Sequence, residues 1–168
     1  MLNYFKTILT DQFEAALCML HKCIKECPSE HWESKVGRGS FCQIVYHTLY
    51  HVDLYLSLSV EVYNQTRSPR WITGERVGTE SCIGLSRDES LVYLGHCYNK
   101  ADRTISAETT KSLQARAGFD WLTLSRGELH LYSLRHIMHH TGQLSAFLRK
   151  VTNSDDDWWV DSGWFGWD

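Results

Sequence analysis

Apolar residues recur along this chain at helical rather than strand spacing. Leu2, Phe5, Leu9, Phe13, Leu17, Leu20 and Ile24 follow one another every three or four residues, the stripe of an amphipathic helix. Pro28 and the polar pair Ser29-Glu30 end it, so a first helix is expected over 2–27. Ser40-Phe41-Cys42-Gln43 then has the form of a capping box, in which the two polar side chains satisfy backbone donors that the first turn leaves free. It opens a second helix over 40–59 with Ile44, His47, His51, Leu54 and Leu58 on one face. Ser86 with Glu89, and Ser125 with Glu128, repeat the signal. They open helices expected over 87–107, with Leu91, Leu94, Tyr98, Ala101 and Ile105 inward, and over 126–150. The period-two alternation of strands is absent throughout.

Two long connections separate these elements. Residues 60–85 are polar and broken by Pro69, Gly74, Gly78 and Gly84, with Trp71 and Ile72 as anchors; a link of that length suggests a crossover along the molecule. Residues 108–124 form the other, centred on Gly118-Phe119-Asp120-Trp121. Gly127 and Gly142 each weaken the last helix by up to about 1 kcal/mol relative to alanine, and Gly142 is placed to admit a neighbouring helix at close range. Four helices with long crossovers describe an all-α four-helix bundle over 1–150. The tail over 151–168 carries Asp155-Asp156-Asp157 and then Trp158, Trp159, Trp164, Phe165 and Trp167. Four tryptophans are too much apolar surface to leave in water, so the tail is expected to pack on its own bundle or on a dimer partner.

Composition narrows the function. A length of 168 residues fits one domain with a sizeable core. A net charge of -3 and the lack of a basic cluster argue against nucleic acid as a partner. No apolar run approaches the roughly 20 residues of a membrane span. Asp11 and Glu14 interrupt the first apolar stretch, which lacks a basic lead-in and so does not read as a signal peptide; a cytoplasmic location is the expectation. The six cysteines form no C-x-x-C pair and mostly occupy helical positions, as reduced thiols acting as small apolar residues would.

The chemistry lies in the histidines. His136 and His140 stand four apart and diverge by only about 40° around a helix, so both imidazoles can reach one point. His139 lies about 60° to the other side of His136 and needs a different role. His47 and His51 repeat the spacing on the apolar stripe of the second helix and supply the missing half of a metal site. Neutral imidazole suits zinc, copper, iron and nickel. Because protons compete for the same nitrogens, affinity is expected to fall below about pH 6.5. Asp53 points about 120° away from His47 and is a poor ligand candidate. Gln143 shares a face with His136 and can orient a ligand imidazole or a bound water. Tyr50, one turn from His47, either lines the pocket or belongs to the core. His21 is expected to face solvent, and His96 and His130, with no partner evident, are read as structural.

Two segments carry a family resemblance. One is Tyr46-His47-Thr48-Leu49-Tyr50-His51-Val52-Asp53-Leu54-Tyr55-Leu56; the other is Glu128-Leu129-His130-Leu131-Tyr132 followed by Arg135-His136-Ile137-Met138-His139-His140-Thr141-Gly142-Gln143-Leu144. In order and spacing over about residues 1–150 the chain resembles the DinB family, small four-helix-bundle proteins grouped with metal-dependent hydrolases. The H-x-x-x-H-x-G-Q element is the more specific of the two, and the tail lies outside the resemblance. The resemblance implies an up-down-down-up bundle, one divalent metal ion per chain (nickel or zinc), a homodimer, and His47, His136 and His140 as the ligands. His51, Tyr50, His139 and Gln143 would then surround them. If His51 is a fourth ligand, the site is closed and structural; if it stands aside, a position stays open for water or substrate.

Characterised relatives include transferases and isomerases that use small cellular thiols. The expected function is therefore a metal-dependent enzyme acting on a small molecule, by thiol-linked transfer or hydrolysis. Transfer stands ahead because no carboxylate presents itself as a general base. The alternative is a non-catalytic bundle whose metal or histidine cluster is structural or sensory.

Overall fold

The first stripe folds as α1, Leu2–Glu26, with Leu9, Phe13, Leu17, Leu20 and Ile24 all buried. Cys27 takes extended backbone, as a residue before proline must, and ends the helix. A 3-10 turn, Ser29–His31, follows, and then a two-residue antiparallel pair, β1 Lys35–Val36 and β2 Gly39–Ser40. Gly37 makes the turn between them with φ of 64°, a value that favours glycine. This pair departs from the expected absence of strands; two residues are too few to leave an alternating pattern. Trp32 locks the segment down by donating its indole N–H to the Leu85 carbonyl at 2.9 Å.

All three expected capping boxes form. They open α2, Phe41–Leu56, α4, Arg87–Ala107, and α6, Arg126–Thr152. In the first, the Ser40 N–H donates to Gln43 Oε1 at 2.9 Å while Ser40 Oγ accepts from the Gln43 N–H at 3.4 Å. α2 stops short of the expected residue 59 because Ser57 is extended and Ser59 caps a new helix, α3, Val60–Thr66. A second short helix, α5, Thr110–Gln114, occupies part of the other connection behind a capping box at Thr109. Gly118 is required there: a Cβ on it would lie 2.1 Å from the Leu58 carbonyl oxygen. The structure is a computed structural model and describes residues 1–67, 85–154 and 159–164; Trp71, Ile72 and Cys82 lie outside the described residues. Among the described residues no helix is long and apolar enough to cross a membrane.

Side-chain contacts fix how the long helices run. Lys6, at the start of α1, donates to the carbonyls of Ser106 and Glu108 at the end of α4, and Arg87, at the start of α4, reaches the Cys27 carbonyl. α1 and α4 are therefore antiparallel. α2 and α4 are parallel, with Leu49 against Cys97, Asp53 against Lys100 and Leu56 against Thr104. α2 and α6 are antiparallel, with Phe41 against Phe147 at one end and Tyr55 against Tyr132 at the other. α1 and α6 run together, Phe13 meeting His130 and Met19 meeting Met138. α1 and α2 each pack on both α4 and α6, around a shared core that includes Leu17, Ile24, Leu49, Leu94, Ile137 and Leu144. Gly142 does not serve a close helix approach, since a Cβ there would meet nothing within 4 Å.

One buried polar network ties four of these ends together. Arg126 opens α6, and its guanidinium donates to the carbonyls of Tyr55, Leu56 and Ser57 at 3.0, 3.0 and 2.6 Å. It thereby caps the C-terminus of α2, where a cation also meets the negative end of the helix dipole. The same guanidinium donates to Glu108 Oε1 at 2.9 Å, and His130 Nε2 lies 2.9 Å from that oxygen. Burial pushes the Glu108 carboxyl up, but the hydrogen bonds from His130, Ser112 and Arg126 outweigh it and hold the pKa at about 2. His130 thus has a partner that its sequence context did not disclose.

The described part of the tail, 159–164, crosses α1 of its own chain. Gln12 donates to the Asp161 carbonyl at 3.2 Å and the Gly163 N–H donates to the Asp11 carbonyl at 3.0 Å. Val160 is buried against Ala15, Cys18 and Met19, and Trp164 lies 5.3 Å from the His21 ring and 5.4 Å from Tyr98. His21 is consequently buried at 7% exposure rather than solvent-facing; the tail covers the face that the stripe of α1 leaves open. Residues 155–158 and 165–168, with Trp158, Phe165 and Trp167, lie outside the described residues.

Arg126→Met leaves the Glu108 carboxylate buried without its cation and the last carbonyls of α2 without donors. Urea denaturation should register a loss of about 3–5 kcal/mol. A loss under 1 kcal/mol would mean that water replaces the guanidinium at little cost.

Candidate metal centre

The site follows from two helices with the same spacing placed antiparallel. On α2 the residues 47, 51 and 55 stack at i, i+4; on α6 the residues 140, 136 and 132 stack in the opposite direction. The result is a ladder of three ring pairs: His47 with His140 at 4.8 Å, His51 with His136 at 5.0 Å, and Tyr55 with Tyr132 at 5.7 Å between centroids. Along each helix the neighbouring imidazoles, His47 with His51 and His136 with His140, are 4.5 Å apart.

Three of the four imidazoles bring ring nitrogens together. One nitrogen each from His47, His136 and His140 lies within 4.8 Å of the others, and His47 Nε2 is 3.2 Å from His136 Nε2. Tetrahedral zinc with bonds of about 2.0–2.1 Å sets its ligand nitrogens about 3.3 Å apart. The closest pair is already at that separation, and rotation of the side chains must close the widest by no more than about 1.5 Å. His51 falls outside this set of three. Its ring lies against Tyr55 at 5.3 Å and meets the edge of Tyr50 at 5.2 Å. Tyr50 also packs on Tyr63 and Tyr46, so it belongs to the wall beside His51 and to the core at once.

The electrostatics favour neutral rings. Burial, and then the neighbouring His51 and His140, push His47 down to about 3. Burial and the other imidazoles, His140 foremost, hold His136 at about 2, and burial with His140 holds His51 at about 4. His140 is lowered too, by burial, with its hydrogen bond to Gln143 working the other way. The proton competition expected near pH 6.5 is therefore displaced to lower pH for as long as the fold persists.

Among the described residues, the buried Nδ1 atoms of His47, His51 and His136 have no hydrogen-bond partner. His47 and His136 turn Nε2 toward one another, so neutral rings protonated at Nδ1 would present their lone pairs there, where a cation can accept them. An all-nitrogen donor set suits zinc, nickel, copper or iron rather than magnesium or calcium.

The surroundings sort the remaining candidates. Gln143, exposed on α6, lies with Oε1 2.9 Å from His140 Nδ1 and Nε2 3.3 Å from His139 Nε2. His139 is exposed and joins the site through that contact and through its ring, 4.9 Å from that of His140. Asp53 turns to α4, where its carboxylate accepts from Tyr93 at 3.1 Å, from Lys100 at 2.5 Å and from His96 at 3.3 Å. Burial raises its pKa, but His96 and Lys100 outweigh that and lower it. This carboxylate is committed to the α2–α4 contact, and His96, which had no evident partner in the sequence, belongs to it. The residues that sequence reasoning passed over are Tyr55 and Tyr132, the last rung of the ladder. The signal was present, since each stands four residues from a histidine already singled out.

Comparisons of the chain with models of known protein families, with curated proteins and with solved structures found no match.

The depressed imidazole pKa values carry a stability consequence. An unfolded histidine titrates near 6.5, whereas His47, His51 and His136 stay neutral in the fold until about 3, 4 and 2. Between those values and 6.5 the unfolded chain binds protons that the fold refuses, so acidification favours unfolding. Metal-free protein should be equally stable at pH 7 and 8 and lose stability between about pH 6.5 and 5, before most carboxylates titrate. His51→Phe should make that slope shallower. Urea midpoints that stay flat over that window would contradict the buried neutral imidazoles.

Proposed function

We propose that His47, His136 and His140 hold one divalent ion, zinc or nickel, and that the chain is a DinB-like metal-dependent enzyme acting on a small molecule. The observation that carries this reading is the convergence of three neutral imidazole nitrogens from two helices, with His47 and His136 already at ligand spacing. The proposed architecture is the up-down-down-up four-helix bundle of that family, built from α1, α2, α4 and α6. The antiparallel and parallel contacts described above support that order. A homodimer remains part of the proposal on the strength of the resemblance.

The roles proposed for the residues follow from their placement. His47 and His136 face one another across the α2–α6 contact, and His140 completes the triangle from the next turn of α6. His51, outside the triangle, packs its ring against Tyr50 and Tyr55. An ion held by three neutral imidazoles supplies a Lewis acid that can lower the pKa of a bound water or fix a substrate thiolate. Of the buried carboxylates among the described residues, Asp53 is tied to Lys100, His96 and Tyr93 and Glu108 to Arg126 and His130, so neither is free to act as a base. Thiol-linked transfer, which needs no such base, therefore stands ahead of hydrolysis, with a low-molecular-weight thiol as the proposed substrate or co-substrate.

Protein purified without a histidine tag should contain close to one zinc or nickel ion per chain by elemental analysis. Replacing His47, His136 or His140 with alanine leaves two protein ligands and should weaken binding at least 100-fold, while His139→Ala should change it far less. His51→Ala decides between the enzyme and the alternative. Retained binding leaves an open coordination position; loss as complete as that of His47→Ala closes the site with four histidines and makes the metal structural. Metal content that survives removal of both His136 and His140 would overturn the site.

A further inference from the structure

We propose that Gln143 is a positioning residue that fixes the tautomer of His140, and that His139 in turn holds Gln143 in the orientation this requires. The inference rests on the metal reading of the histidine cluster and adds to it a control that acts from outside the triangle.

The argument is one of donors and acceptors. A neutral imidazole carries one N–H and one lone pair, and only the lone pair can bind a metal. His140 Nδ1 lies 2.9 Å from Gln143 Oε1, and an amide oxygen can only accept. Nδ1 therefore carries the proton, and Nε2 is left with the lone pair. The amide nitrogen of Gln143, 3.3 Å from His139 Nε2, can only donate, so His139 presents its own lone pair there. The amide orientation seen here satisfies both contacts with His140 protonated at Nδ1 and His139 accepting at Nε2; the reverse orientation satisfies them only if both rings exchange tautomers. Turning the amide over would set an N–H against His140 Nδ1, drive the proton to Nε2 and remove that nitrogen as a ligand.

Two further observations single out this clamp. The Nδ1 atoms of His47 and His136 are buried with no hydrogen-bond partner among the described residues, whereas the outer nitrogen of His140 is tied down by Gln143. The clamp is also local to α6: residues 139, 140 and 143 stand at i, i+1 and i+4, and Gly142 between them adds no side chain to crowd the amide. The sequence reading set His139 apart because it is rotated off the shared face. Through Gln143 that rotation becomes its use, since it sets His139 Nε2 3.3 Å from the amide nitrogen while His140 takes the amide oxygen.

The test reads the tautomer directly. Long-range nitrogen–proton NMR on the full-length, metal-free, histidine-labelled protein, with His140 assigned by its loss in His140→Ala, should find Nδ1 protonated and Nε2 bare. Gln143→Leu removes the acceptor and should shift His140 toward the Nε2-protonated form. Gln143→Glu keeps an acceptor and should restore the wild-type tautomer. Zinc affinity, measured by chelator competition, should fall about 10–100-fold in Gln143→Leu and recover in Gln143→Glu. His139→Ala should leave the tautomer partly mixed, because the amide loses the contact that orients it.

Either of two results overturns the inference: an Nε2-protonated His140 in the wild type, or an unchanged tautomer in Gln143→Leu. Gln143 is exposed, so these variants should fold, and the dispersion of the same spectra verifies that. Should the tautomer follow Gln143 while wild-type protein binds no zinc, the metal reading fails and the positioning role stands.

Discussion

The antiparallel contact of α2 and α6 is the constraint on which the site depends, because it decides which side chains can meet. Each helix alone offers a row of rings at four-residue spacing. Only with the two set in opposite directions at one register does His47 reach His136 and His140, and Tyr55 reach Tyr132. Slipping one helix by a turn would replace a histidine pair by a histidine against a tyrosine. Arg126 guards against that slip, since a guanidinium placed on three successive carbonyls at the end of α2 has no equivalent partner one turn away. Phe41 against Phe147 marks the other end of the same contact.

The two polar networks flanking the histidines explain how a pocket of unpaired imidazoles persists in a stable fold. Glu108, Arg126 and His130 at one level, and Asp53, His96 and Lys100 on the α4 side of α2, are buried or half-buried polar groups that satisfy one another. Each commits a buried carboxylate to partners outside the cluster. The imidazoles are thereby left facing other imidazoles, and burial keeps them uncharged. A metal ion is the partner we propose for such a set.

Much of this was legible in the chain. The four long helices follow from their stripes, and three of their starts from capping boxes whose reciprocal bonds depend on local sequence alone. The convergence of His47, His136 and His140 could be anticipated from spacing plus resemblance. What could not be read was contact between distant segments. His21 looked exposed because nothing in α1 says that Trp164 lies over it, and His96 and His130 looked unpartnered because Asp53 and Glu108 stand some twenty to forty residues away in sequence. α3 and α5 escaped notice because one or two turns cannot establish a period. Gly142 suggested a close helix contact that does not occur, since its open side adjoins Gln143 rather than a neighbouring helix.

X-ray absorption at the metal edge of the zinc- or nickel-loaded full-length protein tests the central claim most directly, because it counts the imidazoles around the ion. The account predicts three histidine nitrogens at about 2.0–2.1 Å with one further light scatterer that a small thiol can replace with sulfur. Two or fewer imidazoles, or a shell containing cysteine sulfur from the protein itself, would contradict it.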